Sequence, residues 1–565
     1  MLKFQDYRYE RPDVEQLKQQ FTNLLAQLSA ATSLDEERKA ISAINKLRSE
    51  FETMQQLVGV RHSIDTTDAF YKAEQDYMDE IGPVIQEYIT EYYRAIVNSA
   101  NRVALEKEWG TQLFQLAEIS LRIFSPEIIE DLQLENKLST EYSQLIASAK
   151  IPFEGEERTL PQLVPFEQST DRDLRKRASE ARYAFMAEHS QELDRIYDDL
   201  VKVRTRIAKK LGYENFVGLG YDRMMRTDYT PEMVANFRKQ VLEFIVPASQ
   251  KLKDRQAERL GLDSLKLYDE HLKFKTGNAD PKGDPDWIIA GGAKMYKELS
   301  PEVDEFFTFM LESNLMDLVS KKGKQGGGYC TYFSEYKAPF IFSNFNGTSG
   351  DIDVLTHEVG HAFQAYESRN LTVPEYAFPT YEAAEIHSMS MEFFTWPWMN
   401  LFFEEDADKY RFNHLAESLQ FIPYGVSVDE FQHFVYSNPD ATPAERNHAW
   451  REIEKKYLPH RDYDGNAYLE QGGFWQKQGH IYSSPFYYID YTLAQLCAFQ
   501  FWKRSREDFA AAWKDYLTLC QAGGSQSFLK LVELAGLKSP FEDGSIASVI
   551  GEIEGWLNSI DDKSL

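Results

Sequence analysis

The chain has 565 residues, of which 43% are apolar and 14% aromatic, a composition that supports a large core and excludes a disordered protein. Acidic residues outnumber basic residues by 90 to 62, which gives a formal net charge of −28 at pH 7. An acidic surface repels nucleic-acid phosphates and anionic membranes, so we expect neither as a partner.

The three cysteines, Cys330, Cys497 and Cys520, are far apart and include no Cys-x-x-Cys pair. A thiolate metal site, a redox motif and a disulfide framework are therefore not expected. The amino-terminal residues lack the apolar segment of a signal peptide, and no apolar run approaches the ~20 residues of a membrane span. We expect a soluble cytoplasmic protein.

Apolar residues at helical spacing dominate the first two hundred residues. Leu17, Phe21 and Leu28 share one helical face, and Leu47 and Phe51 belong to a second such stripe. These stripes are typical of packed helices. We expect a helical amino-terminal lobe at residues 1–200 and a second domain at residues 201–565.

The pattern changes between residues 321 and 350. A glycine-rich turn at residues 321–328 precedes two runs of aromatic and β-branched residues, Tyr329–Phe333 and 340–345. Together they predict a β-hairpin. The turn lacks the Gly-Lys-Ser/Thr ending of a phosphate-binding loop, so a nucleotide site is not expected there.

Residues 357–361, directly after the hairpin, read His-Glu-Val-Gly-His. Two histidines four apart on a helix lie on one face, so both imidazoles can reach one metal ion at ~2.0–2.1 Å. The carboxylate of Glu358 can reach a water on that metal without coordinating the metal itself. This arrangement supplies the ligands and general base of zinc peptidases. By chance it arises on the order of twice in a hundred such chains, so two ordinary surface histidines are the alternative.

A catalytic zinc ion needs a third protein ligand and an open position for water. Residues 362–370 contain no histidine, which excludes the metzincin continuation of the motif. Glu385, 24 residues after the second histidine, is the preferred third ligand. Glu382 and His387 are the alternatives.

Two further carboxylates are candidates to orient a metal ligand by a hydrogen bond. Glu392 shares a helical face with Glu385, and Asp353 lies one turn before His357. A solvated or helix-capping carboxylate explains either residue equally well.

A second cluster places His480 and four tyrosines within residues 479–491. Amide hydrolysis creates an oxyanion, which phenol and imidazole donors stabilise by a few kcal/mol. Tyr488 and Tyr491, three apart, would lie together on a helix. Taken alone, such a cluster is more often part of an aromatic core, but the metal motif favours a catalytic role.

The three blocks together resemble the thimet oligopeptidase family of metallopeptidases, and within it the oligoendopeptidase F branch. The blocks that carry the resemblance are residues 357–361, 385–392 and 480–491, with residues 153–157 and 174–177 nearer the amino terminus. The resemblance implies a mainly α fold, a large helical ellipsoid with a deep central substrate channel. The hairpin predicted above would lie next to the zinc helix as a small β-hairpin or sheet, and residues 201–565 are the predicted catalytic zinc metallopeptidase domain.

The resemblance also implies one catalytic Zn²⁺ ion, bound by His357, His361 and Glu385 with Glu358 as general base. His480, Tyr488 and Tyr491 would bind substrate and stabilise the transition state. The interval from His480 to Tyr488 is one residue shorter than in the thimet branch. Tyr487 and Tyr488 therefore remain alternatives for the oxyanion donor.

The predicted function is a zinc metalloendopeptidase that hydrolyses internal peptide bonds of short unstructured oligopeptides. We expect the strand at residues 340–345 to pair with the extended substrate. A dipeptidyl carboxypeptidase is one alternative, and it would need a cationic group for the substrate carboxylate. A non-catalytic peptide-binding protein is the other, disfavoured because the set of site residues is complete.

Overall fold

The computed structural model describes residues 2–321 and 323–565. Within these residues twenty-five α-helices surround two small β-sheets, which confirms the predicted mainly α fold class. None of the described helices is long and apolar enough to cross a membrane.

Six helices and a two-stranded sheet form the amino-terminal part of the chain. Their bounds are α1 Val14–Ala30, α2 Leu34–Ile64, α3 Ala69–Val97, α4 Arg102–Trp109, α5 Gln112–Ile123, α6 Ile129–Ala147, β1 Ile151–Phe153 and β2 Glu156–Arg158. The predicted stripes are buried: Phe21 is fully enclosed, and Leu47 and Phe51 pack beside it. Helices α1–α5 thereby share a core of their own, to which Val373 and Tyr376 contribute from the other half of the chain.

The middle of the chain continues with eight helices. Their bounds are α7 Val164–Glu167, α8 Arg172–Glu188, α9 Ser190–Lys210, α10 Phe216–Arg223, α11 Pro231–Gln240, α12 Val246–Leu260, α13 Pro285–Leu299 and α14 Pro301–Glu312. Helix α9 runs without a break across residue 200, and Leu193 and Leu200 both belong to the main core. The division at residue 200 stays a prediction.

The second sheet has three strands, β3 Met316–Val319, β4 Tyr329–Phe333 and β5 Ala338–Phe345, in the order β3-β5-β4. The predicted hairpin is confirmed, because β4 pairs with β5 in antiparallel register. The sequence analysis missed β3, which lies parallel to β5. Strand β5 therefore has a partner on each side, and the prediction that residues 340–345 pair with a substrate is wrong. In the described part of the chain, β3 and β4 are the two edge strands of this sheet.

The carboxyl-terminal half begins with the helix that follows β5. Its helices are α15 Gly350–Ser368, α16 Tyr381–Phe394, α17 Asn400–Phe403, α18 Ala407–Ser437, α19 Pro443–Tyr457, α20 Ala467–Glu470, α21 Gly479–Ser483, α22 Tyr488–Glu507, α23 Phe509–Ala522, α24 Phe528–Leu534 and α25 Ser545–Ser559. The Asp351 carboxylate accepts the backbone N–H groups of Asn346 and Gly347, both at 2.8 Å, and so ties the start of α15 to the end of β5.

Helices α15 and α16 touch at Gly360. A Cβ atom there would lie 2.6 Å from the carbonyl oxygen of His387 and 2.6 Å from the Cα of Ser388. Both obstacles are backbone atoms, which cannot move aside as a flexible side chain can. Glycine is therefore required for these two helices to approach each other this closely.

We expect Gly360→Ala to lower the free energy of unfolding by about 1–3 kcal/mol, because the added methyl group forces the two helices apart. Thermal denaturation measures this loss. Gly555→Ala is the matched control: Gly555 lies in α25 with open space around its Cα, so alanine there should be neutral or stabilising by up to ~1 kcal/mol. Equal melting temperatures for the two variants would contradict the steric argument.

Candidate metal centre and active site

The structure brings His357, His361 and Glu385 together at the junction of α15 and α16. Glu385 Oε2 lies 3.2 Å from His357 Nε2 and 3.4 Å from His361 Nε2. Ligand atoms that bind a tetrahedral zinc ion at ~2.0–2.1 Å are themselves roughly 3.3 Å apart. The three side chains therefore fit one zinc ion, and their nitrogen and carboxylate donors suit that metal.

The two alternative ligands lie elsewhere. Glu382 accepts a hydrogen bond from the Thr380 hydroxyl at 3.1 Å. His387 is fully buried, and neither of its ring nitrogens has a hydrogen-bond partner among the described residues. Burial lowers the pKa of His387 to about 4, so its ring is neutral. The geometry thus supports Glu385 as the third ligand.

Neighbouring hydroxyl groups hold the Glu385 carboxylate in place. Ser388 Oγ donates to Oε2 at 2.9 Å, and the Tyr487 hydroxyl donates to Oε1 at 2.6 Å. Burial alone would raise the pKa of Glu385, but His361 and His357 outweigh it and hold this pKa well below its usual range. The carboxylate is therefore ionised, as metal binding requires.

Glu392 orients the first histidine ligand. Its Oε1 lies 2.7 Å from His357 Nδ1, and its Oε2 lies 2.7 Å from His414 Nε2. The indole N–H of Trp396 donates to His414 Nδ1 at 3.2 Å, so the proton of His414 must be on Nε2, facing Glu392. Because Glu392 occupies His357 Nδ1, the other ring nitrogen, Nε2, is free to bind the metal.

His414 was missed by the sequence analysis. It lies on α18, and no spacing relates it to the metal motif. The second predicted carboxylate, Asp353, accepts a hydrogen bond from the Tyr410 hydroxyl at 2.5 Å. Burial raises the pKa of Asp353 to about 7. Glu392 is therefore the carboxylate that the structure places against a ligand.

Glu358 lies beside the metal ligands and is 7% exposed. Its Oε2 has no hydrogen-bond partner among the described residues. Because Glu358 also lines the cavity beside the metal ligands, this oxygen is available to accept a hydrogen bond from a water molecule there. Burial raises the pKa of Glu358, which makes it a better proton acceptor than a solvated carboxylate.

A cavity of about 640 Å³ opens over these residues. Its walls include β4, the three metal ligands with Glu358, and the side chains of Tyr487 and Tyr491. Glu52 of α2 and Tyr93 of α3 also line it, so the amino-terminal helices form part of the wall. Among the described residues that line this cavity there is no lysine or arginine.

Two known protein-family models match most of the chain. Residues 4–124 match the Peptidase M3 N-terminal domain, and residues 166–283 with 293–549 match Peptidase family M3. The chain belongs to peptidase family M3. The resemblance predicted from the metal motif and its neighbouring blocks is thus confirmed.

Known proteins are similar to this chain in sequence, and a solved structure is similar in fold as well. A solved structure of PZ peptidase A with inhibitor 2 is 64% identical, with a TM-score of 0.97, and the match covers 99% of this chain and 100% of that one. Group B oligopeptidase PepB from Streptococcus agalactiae is 23% identical over 388 residues. An oligoendopeptidase F homolog from Lactococcus lactis subsp. lactis is 23% identical over 390 residues. Both matches cover 66% of this chain and 61% of the relative.

In this M3 family chain, His480 is not among the residues that line the cavity, but its ring lies 5.7 Å from that of Tyr487 and 5.8 Å from that of Tyr491, which do line it. Gln478 determines which nitrogen of His480 carries the proton. The Tyr424 hydroxyl donates to Gln478 Oε1 at 2.9 Å, so the Gln478 amide nitrogen faces His480 Nδ1 at 2.7 Å and donates to it. Burial lowers the pKa of His480, and the neutral ring therefore keeps its proton on Nε2 as a donor.

The structure places the candidate tyrosines differently. Tyr487 and Tyr491 line the cavity, with ring centroids 4.9 Å apart. Tyr488 is not among the lining residues, and its ring packs edge-on against His480 at 5.0 Å, Phe421 at 5.6 Å and Tyr424 at 5.7 Å. The geometry therefore favours Tyr487 over Tyr488 as the donor near the metal.

We expect Glu392→Ala to weaken zinc binding about 10- to 100-fold, because His357 loses the carboxylate that orients its ring. Competition with a chromogenic chelator measures the affinity. Glu405→Ala, an exposed glutamate outside the site, is the control and should leave the affinity unchanged. Equal affinities for Glu392→Ala and the wild type would show that Glu392 does not orient the ligand.

Proposed function

We propose that this chain is a zinc-dependent endopeptidase that hydrolyses internal peptide bonds of short, unstructured oligopeptides. One observation carries the proposal: three side chains close enough to share a metal ion line the same cavity as the unpartnered carboxylate oxygen of Glu358. The M3 family matches support the same reaction class. The cytoplasm is the compartment we propose, since the three cysteines are free.

The side chains divide the reaction between them. Zinc, when bound by His357, His361 and Glu385, supplies a Lewis acid and lowers the pKa of water. Glu358 accepts the proton of the attacking water and returns it to the leaving amine. The Nε2 proton of His480 is a donor for the developing oxyanion.

Tyr487 is the phenol that we assign to the oxyanion in place of Tyr488. Its hydroxyl already reaches the Glu385 carboxylate at 2.6 Å. Because Glu385 is a proposed metal ligand, this contact puts the Tyr487 hydroxyl on the metal side of the cavity, where it can donate to a substrate carbonyl oxygen. Tyr491 lines the same side of the cavity, and its ring lies 5.8 Å from that of His480.

Strand β4 is the proposed docking edge for the extended peptide. Tyr329, Cys330 and Thr331 line the cavity, and β4 pairs only with β5 among the described strands. The free backbone groups of an edge strand recognise any peptide backbone, which suits an enzyme that accepts varied sequences.

The dipeptidyl carboxypeptidase alternative is disfavoured by the charge of the cavity. That activity needs a cation for the substrate's free carboxylate, and the described lining residues include glutamates but no lysine or arginine. The non-catalytic alternative is disfavoured by the complete ligand set and the unpartnered oxygen of Glu358. The absence of nucleic-acid and membrane partners stays a prediction from the net charge of −28.

A quenched fluorescent peptide blocked at both ends tests the activity. We expect the zinc-loaded wild type to cleave it and Glu358→Gln to lose at least about 100-fold in kcat, because the amide cannot accept the proton. Zinc content should be equal in the two proteins, and Glu405→Gln is the control for a neutral Glu-to-Gln change. Equal rates for Glu358→Gln and the wild type would refute the mechanism. Cleavage of unblocked peptides only would favour the carboxypeptidase alternative.

The tyrosine assignment has its own test. We expect Tyr487→Phe to lower kcat about 100-fold, with zinc retained, because one oxyanion donor is lost. Tyr488→Phe is the matched control: it removes the neighbouring hydroxyl, and its effect on kcat should be less than about tenfold. Steady-state kinetics on the same peptide distinguish the two, and a larger loss for Tyr488→Phe would reverse the assignment.

A further inference from the structure

The chain reverses direction between α21, which carries His480, and α22, which carries Tyr491. Phe486 lies at this turn with φ +68°, in the left-handed region that side chains other than glycine rarely adopt. The reversal brings the Tyr487 ring to 5.7 Å from that of His480. The position of the candidate oxyanion donors therefore depends on a strained residue next to one of them.

Contacts from three other elements hold Phe486 in this conformation. Arg226, in the loop after α10, donates from one nitrogen, Nη2, to Phe486 O at 2.5 Å and to Asp490 Oδ1 at 2.7 Å. The backbone N–H of Phe486 donates to Gln432 Oε1 of α18 at 3.0 Å. The Phe486 ring packs on Gly220, where a Cβ atom would lie only 2.5 Å from it.

Arg226 is a buried cation with an incomplete set of hydrogen bonds. Its side chain is fully buried between the rings of Tyr221, at 4.3 Å, and Tyr229, at 5.3 Å. Its Nε and Nη1 have no hydrogen-bond partner among the described residues. Such a buried guanidinium is costly, and the contact that it does make ties the Phe486 carbonyl to the first turn of α22.

We propose that Arg226 is a positioning residue for peptide hydrolysis, which fixes the Phe486 turn so that the Tyr487 hydroxyl faces Glu385 and the substrate carbonyl. This inference rests on the proposed function. Arg226 acts through the backbone of Phe486 and the carboxylate of Asp490, and it does not line the cavity. Without the two hydrogen bonds of Arg226, the turn at Phe486 becomes more mobile. The Tyr487 hydroxyl then spends less time facing Glu385 and the substrate carbonyl.

Kinetics of Arg226→Met on the doubly blocked peptide test the proposal. We expect kcat to fall about 10- to 100-fold with zinc retained and KM within a few-fold of the wild type. In a Tyr487→Phe background the same change should cost less than about threefold, because the group that Arg226 positions is already gone. If the double variant instead lost kcat by the product of the two single losses, the two residues would act independently and the proposal would be overturned.

Arg175→Met is the matched control. Arg175 is also buried, and it likewise bridges a backbone carbonyl, Ser169 O at 2.7 Å, and a carboxylate, Asp269 Oδ1 at 2.9 Å. It lies far from the site along the chain, at the start of α8. We expect Arg175→Met to lower the melting temperature and leave kcat unchanged.

Gln432→Met is the second variant, because it releases the Phe486 N–H and leaves every buried charge paired. If Arg226→Met does not fold, Gln432→Met should show the same loss of kcat and the same non-additivity with Tyr487→Phe. An unchanged kcat in either folded variant would overturn the proposal. Failure of both variants to fold would also overturn it, because the contacts to Phe486 would then serve stability alone. A zinc-loaded wild type that cleaves no peptide would instead refute the proposed function, and this inference with it.

Discussion

The contact between α15 and α16 at Gly360 is the constraint on which the rest of the site depends. Two histidines on α15 and one glutamate on α16 can share a metal ion only if their helices approach to backbone contact. A side chain at residue 360 would collide with the backbone of His387 and Ser388, so the missing Cβ determines the ligand spacing. The ligand distances of 3.2 and 3.4 Å are the consequence.

Burial increases the energetic importance of each polar contact around the ligands. In a low-dielectric interior a misplaced donor or acceptor is costly, and a satisfied network is correspondingly rigid. The chain Trp396–His414–Glu392–His357 and the pair Gln478–His480 each end on one defined ring nitrogen. The unpartnered oxygen of Glu358 and the positive φ of Phe486 both lie beside the proposed chemistry.

The cavity joins parts of the chain that the sequence separates widely. Strand β4 supplies one wall, α22 another, and Glu52 and Tyr93 come from helices near the amino terminus. Those helices have a core of their own, yet Val373 and Tyr376 tie it to the segment that precedes α16. A cavity of about 640 Å³ between such walls, with β4 along one side, fits the proposed preference for extended oligopeptides.

The sequence by itself determined the local features: helical stripes, the β4–β5 hairpin, the histidine pair with Glu358, and the candidate status of Glu385. These depend on spacings of a few residues, or on a motif whose chemistry leaves few choices. The tertiary structure alone decided that β4 is an edge strand beside the cavity, that His414 contacts Glu392, that Tyr487 rather than Tyr488 lines the cavity, and that Arg226 donates to the turn before it. The physical reason is that these relations join residues tens to hundreds of positions apart, whose distances are set by packing and not by any period along the chain.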